Sequence, residues 1–121
     1  MTQRILVIED TEDNRQIIRD LLTSAGYELI EAVDGLEGVA AVEREQPDLI
    51  LMDIQLPGID GYEATRRIRK IPALATVPII AVTSYALSGD EAKTREAGCD
   101  GYVAKPYSPR QLLAKVREFL P

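Results

Sequence analysis

The chain has 121 residues, the length of one domain, and enough to bury a core without disulfides or a structural metal. Apolar residues make up 45% and charged residues 28%, which excludes a disordered chain, and a net charge of −6 argues against binding nucleic acid or an anionic membrane. Cys99 is the only cysteine and there is no histidine or tryptophan, so an internal disulfide is impossible and any chemistry rests on carboxylates, hydroxyls and lysines.

The first apolar run, residues 5–8, is too short for a signal peptide or a membrane span and runs straight into acids, which points to the cytoplasm. Residues 11–25 then carry Ile17, Ile18, Leu21, Leu22 and Ala25 at helical spacing, and Gly26 stops that helix. Adjacent Ile17 and Ile18 cannot both point directly into one core. Either one faces solvent or a partner, or both lie on a wide apolar face.

A weaker strand at 28–32 follows, then a helix over 36–45 with Leu36, Val39, Ala40 and Val42 apolar, closed by Pro47. The run 49–52 is a third strand. Asp60 and Glu63 have capping-box spacing at the start of a helix that stops before Pro72. Its basic residues Arg66, Arg67, Arg69 and Lys70 read as a solvated face paired with local acids.

Residues 79–82 form a fourth strand. Ser88 and Glu91 repeat the capping spacing before a helix ending at Gly98, and this helix has the least to bury, which marks it as a candidate moving part. Cys99, just beyond, reads as a small semi-buried side chain. After a fifth strand at 102–104, Ser108, Pro109 and Gln111 open a last helix whose face is Leu112, Leu113, Val116, Phe119 and Leu120.

Strand and helix thus alternate five times over residues 1–121, as one domain. The pattern predicts an α/β doubly wound five-stranded parallel sheet of order 2-1-3-4-5, covered on both faces. In such sheets ligands sit at the carboxyl ends of the strands near the switch in winding, here above strands one and three. Strand one ends in Glu9-Asp10, strand three in Asp53, strand four in Thr83 and strand five in Lys105-Pro106. Each alone is an ordinary strand-end residue. Together they place three carboxylates, a hydroxyl and an amine on one rim.

Carboxylates this close repel, so either their pKa values rise or a cation neutralises them. An all-oxygen ligand set selects a hard cation, and Mg2+ suits a site that keeps water and awaits a phosphate. A carboxylate can attack a phosphoryl group to give an aspartyl-phosphate, with Mg2+ and Lys105 neutralising the phosphoryl oxygens and Thr83 donating a hydrogen bond.

Glu9-Asp10, the segment Leu51-Met52-Asp53-Ile54-Gln55-Leu56-Pro57-Gly58, Thr83 and Lys105-Pro106 together resemble the receiver domain of two-component response regulators, of the stand-alone chemotaxis or cell-cycle-regulator type, over the whole chain. The resemblance implies a flavodoxin-like (βα)5 fold and a phosphorelay function. Asp53 would accept a phosphoryl group from a sensor histidine kinase or a histidine phosphotransfer protein, in a Mg2+-dependent reaction that switches binding to a downstream protein. Such a protein is not an enzyme beyond its own phosphorylation and dephosphorylation.

By the same resemblance Asp10, Asp53 and the Gln55 carbonyl are metal ligands, Glu9 holds the ion through water, and Thr83 and Lys105 contact the phosphoryl group. The Lys105–Pro106 bond is expected to be cis, which would point the lysine back at the site. Tyr102 matches the aromatic switch partnered with Thr83, beside the simpler reading of an aromatic at the sheet edge. Asp13, Asn14, Ile17, Pro106 and Tyr107 map to the kinase-docking surface, and the fourth helix, fifth strand and fifth helix to the output surface. Bulky Gln55 and Tyr85 imply a phosphoryl lifetime of minutes or longer.

Rival readings fare worse. A haloacid-dehalogenase phosphatase would carry a second acid where Gln55 stands and would have a cap domain. A flavodoxin-like binder would have a hydroxyl- or Gly-rich loop where the acidic run 9–13 lies. A phosphorylation-independent pseudo-receiver scaffold remains as the alternative. The expected partners are proteins, with no nucleic acid and no membrane, and both monomer and homodimer fit the sequence. It does not distinguish a stand-alone regulator from a piece of a longer protein.

Overall fold

A computed structural model of the chain describes residues 2–84 and 90–121, with side chains described from residue 92 onward in the second stretch. Elements alternate: β1 (Arg4–Ile8), α1 (Glu12–Ser24), β2 (Glu28–Ala32), α2 (Gly35–Glu45), β3 (Leu49–Asp53), α3 (Gly61–Arg69), a short 3-10 turn (Pro72–Leu74), β4 (Ile79–Thr83), α4 (Asp90–Ala97), β5 (Gly101–Ala104) and α5 (Pro109–Phe119). The strands form one parallel five-stranded sheet of order β2-β1-β3-β4-β5, as the alternation predicts.

The pleat divides the core in two. Ile5, Val7, Leu49, Leu51, Ile80 and Val103 pack with Ile18 and Leu22 of α1 and Leu112, Val116 and Leu120 at α5. Leu6, Ile8, Ile50, Met52, Ile79 and Ala81 pack with Ala41 and Val42 of α2 and Ala64 and Ile68 of α3. Central strands buried on both faces read as continuous apolar runs, which is why β1, β3 and β4 are the clearest in the sequence. Truncating any fully buried leucine, Leu22 or Leu112 for example, would cost about 2–5 kcal/mol.

The termini follow their local chemistry. Ser108 and Gln111 close a full capping box on α5, with Pro109 in the first turn. Asp60 caps α3 by accepting from the Glu63 amide, while the Glu63 carboxylate turns instead to Arg67 at 2.9 Å. Glycines with left-handed backbone, Gly26 and Gly98, follow α1 and α4. Of the expected start of α4, Ser88 lies outside the described residues. Within α4, Thr94 and Ala97 are buried.

Two faces differ from a simple reading of hydropathy. In α1 the ambiguity at the adjacent isoleucines resolves: Ile18 is buried and Ile17 is 54% exposed. In α2 the inward row is Gly35, Gly38, Ala41 and Val42, and Leu36, expected on the apolar face, is 58% exposed. The helix lies so close to β1 that a Cβ at Gly38 would meet the Ile8 side chain at 2.5 Å. Glycines provide that contact, so the buried face carries little hydropathy.

The basic run on α3 splits likewise. Arg66 and Arg67 pair with Glu63 on the surface. Arg69 is mostly buried and bonds the carbonyls of Leu74, Val77 and Gly98 and the Asp100 carboxylate. Cys99 is buried with Sγ 3.7 Å from Thr65 Oγ1, and burial pushes its thiol up, as befits a small core side chain. No helix among the described residues is long and apolar enough to cross a membrane.

Candidate phosphoryl and metal site

Alternation along the strands sorts the rim residues. Ile5 and Val7, Leu49 and Leu51, and Val103 face α1 and α5, so two places further on Glu9, Asp53 and Lys105 emerge on that same side. Ile79 and Ala81 face the other way, and so does Thr83. Tyr102 packs against that second cluster. In the register Ala81 pairs with Tyr102 and Thr83 with Ala104, which makes Thr83 and Tyr102 diagonal neighbours on one face.

Each of Glu9, Asp10 and Asp53 offers one carboxylate oxygen within 4.8 Å of the others. Glu9 and Asp53 are each 4% exposed, whereas Asp10 opens to solvent. Lys105 Nζ lies 3.3 Å from Asp53 Oδ2 and 3.8 Å from Glu9 Oε1. The Gln55 amide donates to Asp53 Oδ1 at 3.0 Å. The Lys105 amide bonds the Thr83 carbonyl at 2.7 Å, and the Lys105–Pro106 bond is cis, as expected. Thr83 is fully buried.

The electrostatics are those of a crowded acid cluster. Burial, then the adjoining Asp53 carboxylate, raise the Glu9 carboxyl above its usual range. Partial loss of water at the rim, then Glu9, do the same to the more exposed Asp10. Burial, with Glu9 and Asp53 nearby, keeps the Tyr107 hydroxyl protonated.

One lysine against three carboxylates leaves two negative charges, the amount a divalent cation cancels. Glu9 Oε2 is buried and has no hydrogen-bond partner among the described residues. An all-oxygen donor set with an orphaned buried oxygen fits a hard divalent metal ion.

Around this centre lie the other expected residues. Ile17, Asn14, Ser84, Lys105, Pro106 and Tyr107 line a groove of about 400 Å³ that opens beside the lysine. Asp13 and Pro106 are exposed and Tyr107 is half-buried. Asn14 is half-buried, and its side-chain amide donates to Glu9 Oε1 at 2.7 Å. Arg15, which sequence reasoning passed over, donates from Nη1 to the Glu9 carbonyl at 2.7 Å. A signal was available, since both residues follow the acid pair within the first turn of the next helix. Tyr85 lies outside the described residues.

A doubly wound sheet with three clustered acids and a lysine at the switch in winding defines an α/β domain with a candidate cation site, and comparison narrows the class. The model of the response regulator receiver domain family matches residues 5–117. The chain belongs to that family, the receiver domains of two-component signalling. It is 40% identical over 120 residues to the polar-differentiation response regulator DivK of Brucella ovis, spanning 99% of this chain and 98% of that one.

Among solved structures, the receiver domain of a sensor histidine kinase from Pseudomonas aeruginosa, with a magnesium ion coordinated in its active-site cleft, superposes with a TM-score of 0.92 at 40% identity, covering 99% and 98% of the two chains. The chemotaxis protein CheY4 of Vibrio cholerae gives 0.94 at 26% identity, covering 98% and 99%.

Proposed function

We propose that the protein is a phosphorelay response regulator that accepts a phosphoryl group on Asp53 from a sensor histidine kinase or a histidine phosphotransfer protein. The observation that carries this reading is the setting of Asp53: a buried carboxylate held by Lys105 on one oxygen and by the Gln55 amide on the other, beside two further acids. A lone buried acid would need only the lysine. The extra carboxylates make sense where a cation and a phosphoryl group are received.

Glu9, Asp10, Asp53 and the Gln55 carbonyl would hold Mg2+, with Glu9 acting through water. The ion would neutralise charge on the phosphoryl oxygens. The protein's own groups do the rest. The Gln55 amide and Lys105 fix the Asp53 carboxylate so that one oxygen meets phosphorus. An Asp53 O–P bond forms as the donor imidazole N–P bond breaks, and the donor nitrogen keeps its electron pair and takes a proton. Lys105, already between Glu9 and Asp53, neutralises a phosphoryl oxygen, and Thr83 donates to another. Hydrolysis by water returns the free carboxylate and inorganic phosphate, so the protein acts on no substrate but itself.

Thr83 and Tyr102 share a face, which supports their use as the switch: movement of the threonine toward the phosphoryl group frees room for the aromatic ring. The groove between Ile17 and Tyr107, lined also by Asn14 and Pro106, supports docking of the donor over Asp53, with exposed Asp13 of the same helix as a further contact. A downstream protein would then read the β5–α5 side. The acidic net charge and the likeness to the response regulator DivK support a cytoplasmic setting with proteins, rather than nucleic acid or membrane, as partners.

Intact mass after incubation with Mg2+ and acetyl phosphate tests the reading. One added phosphoryl group is expected in the wild type and none in Asp53→Asn. No addition together with no Mg2+ binding would favour the pseudo-receiver scaffold.

A further inference from the structure

We propose that Asn14 and Arg15 are positioning residues that aim Glu9 at the cation, Asn14 through the carboxylate and Arg15 through the peptide carbonyl behind it. This rests on the reading of Glu9, Asp10 and Asp53 as a Mg2+ site.

The two oxygens of Glu9 are treated differently. Oε1 accepts from Asn14 Nδ2 at 2.7 Å and lies 3.8 Å from Lys105 Nζ. Oε2 is buried with no hydrogen-bond partner among the described residues, and so is left for a metal or its water. The lysine cannot hold this arrangement alone, because it sits nearer Asp53, at 3.3 Å. A phosphoryl group draws Lys105 further from Glu9, and Asn14 then remains as the fixed donor to Oε1. An amide suits the task, since it donates without adding a fourth negative charge. It also ties up one oxygen, which decides the one that faces the cluster.

Arg15 does the matching work on the backbone. Its guanidinium side chain is 11% exposed and spans three acceptors: the Glu9 carbonyl at 2.7 Å, Glu12 Oε2 at 2.6 Å and Glu31 Oε1 at 3.4 Å. Arg19 bonds Glu31 as well, so β2 and α1 are knit together around the Glu9 peptide. A planar fork with donors in several directions is what this bridge uses, and an ammonium group cannot reproduce it. Outer partners of metal ligands commonly shift metal affinity by about 10–100-fold.

The test is calorimetric titration of Mg2+ alone into metal-free wild type, Asn14→Leu and Arg15→Lys. It is run beside metal-free melting curves and acetyl phosphate labelling, which involves no partner protein. Asn14→Leu should bind Mg2+ about tenfold more weakly. Its metal-free melting midpoint should fall by no more than a few degrees, as for one lost hydrogen bond, and most of the wild-type labelling rate should return at saturating Mg2+. Arg15→Lys should weaken binding in the same direction. Asn14→Ala carries the same expectation, so a leucine variant that misfolds does not end the test.

Affinity within twofold of wild type in the Asn14 variants, or a loss that only tracks lost metal-free stability, would overturn the inference and leave Asn14 as a docking residue. Failure of the wild type itself to bind Mg2+ would overturn the site reading instead, and this inference with it.

Discussion

Gly61 rests its bare Cα against the end of β3: a Cβ there would lie 2.5 Å from the Asp53 carbonyl oxygen and 2.7 Å from the Ile54 Cα. The Gly61 amide also donates to the Ile54 carbonyl at 3.0 Å. Both neighbours are backbone and cannot swing aside, so α3 would have to retreat. Gly61→Ala should cost about 1–3 kcal/mol, read by urea unfolding. A loss below about 0.5 kcal/mol would mean that α3 is free to slide.

The acid cluster sets a pH dependence whose sign follows from Glu9 and Asp10. Burial and neighbouring acids raise both above the usual 4.5 and 3.8. The folded metal-free state therefore holds these protons more tightly than the unfolded state. Their charged forms subtract stability at neutral pH, and the deficit shrinks as pH falls through the raised values. Glu45, beside Arg44 and Arg4, and Glu63, beside Arg67, have lowered values. Their contribution is present above 4.5 and is lost as pH falls through those lowered values. The metal-free protein should thus be most stable at mildly acid pH. Glu9→Gln should raise its pH 7 melting midpoint by roughly 2–5 °C, and saturating Mg2+ should reverse the order of the two proteins. Scanning calorimetry with chelator and with Mg2+ decides this, and identical midpoints in chelator would show that the acids do not strain the fold.

In the proposed relay, a change at Ile17 should separate docking from chemistry. Ile17 is 54% exposed on the groove that leads to Lys105, while its neighbour Ile18 holds the core. Ile17→Ala should change stability by less than about 0.5 kcal/mol and leave labelling by acetyl phosphate intact. Transfer from a phosphohistidine donor protein should slow about tenfold, as for an anchor residue in an interface. Equal slowing with both donors would place the defect in the site rather than in docking.

Arg69 and Arg66 are three residues apart and should behave oppositely. Arg69→Met strands the carbonyls of Val77 and Gly98 and leaves, among the described residues, the Leu74 carbonyl with the long bond from the Val77 amide and Asp100 with the Ile79 amide, for a loss of about 2–4 kcal/mol in denaturant unfolding. Arg66→Ala breaks only a surface pair and should cost under about 0.5 kcal/mol. Similar losses in the two variants would contradict the bridging role of Arg69.

These cases show where the sequence was legible. Strand order, helix ends and the rim residues were readable because alternation, caps and strand-end acids are local signals carried by residue type. Glu9, Asp10, Asp53 and Lys105 come together because each ends a strand whose parity is plain. The buried face of α2 was not legible, since Gly35 and Gly38 make it and glycine carries no hydropathy signal. Nor was the fate of Arg69 among four basic residues, because its acceptors lie in two other segments, Leu74 with Val77 and Gly98 with Asp100. Asn14 was readable as a rim residue but not as a partner of Glu9, since hydrogen bonds between side chains depend on rotamers that no period encodes.

The pleat has one more implication. Asp53 and Lys105 stand on the α1 side of the sheet, and Thr83 and Tyr102 on the α3 side. In the proposed relay, news of phosphorylation has only to pass through the thickness of one strand, from a side chain facing one wall to a side chain facing the other. Tyr107 and Tyr102, five positions apart, look out on opposite rooms. Fluorine labels on these two rings would therefore time the arrival of the cation and phosphoryl group separately from the response behind them.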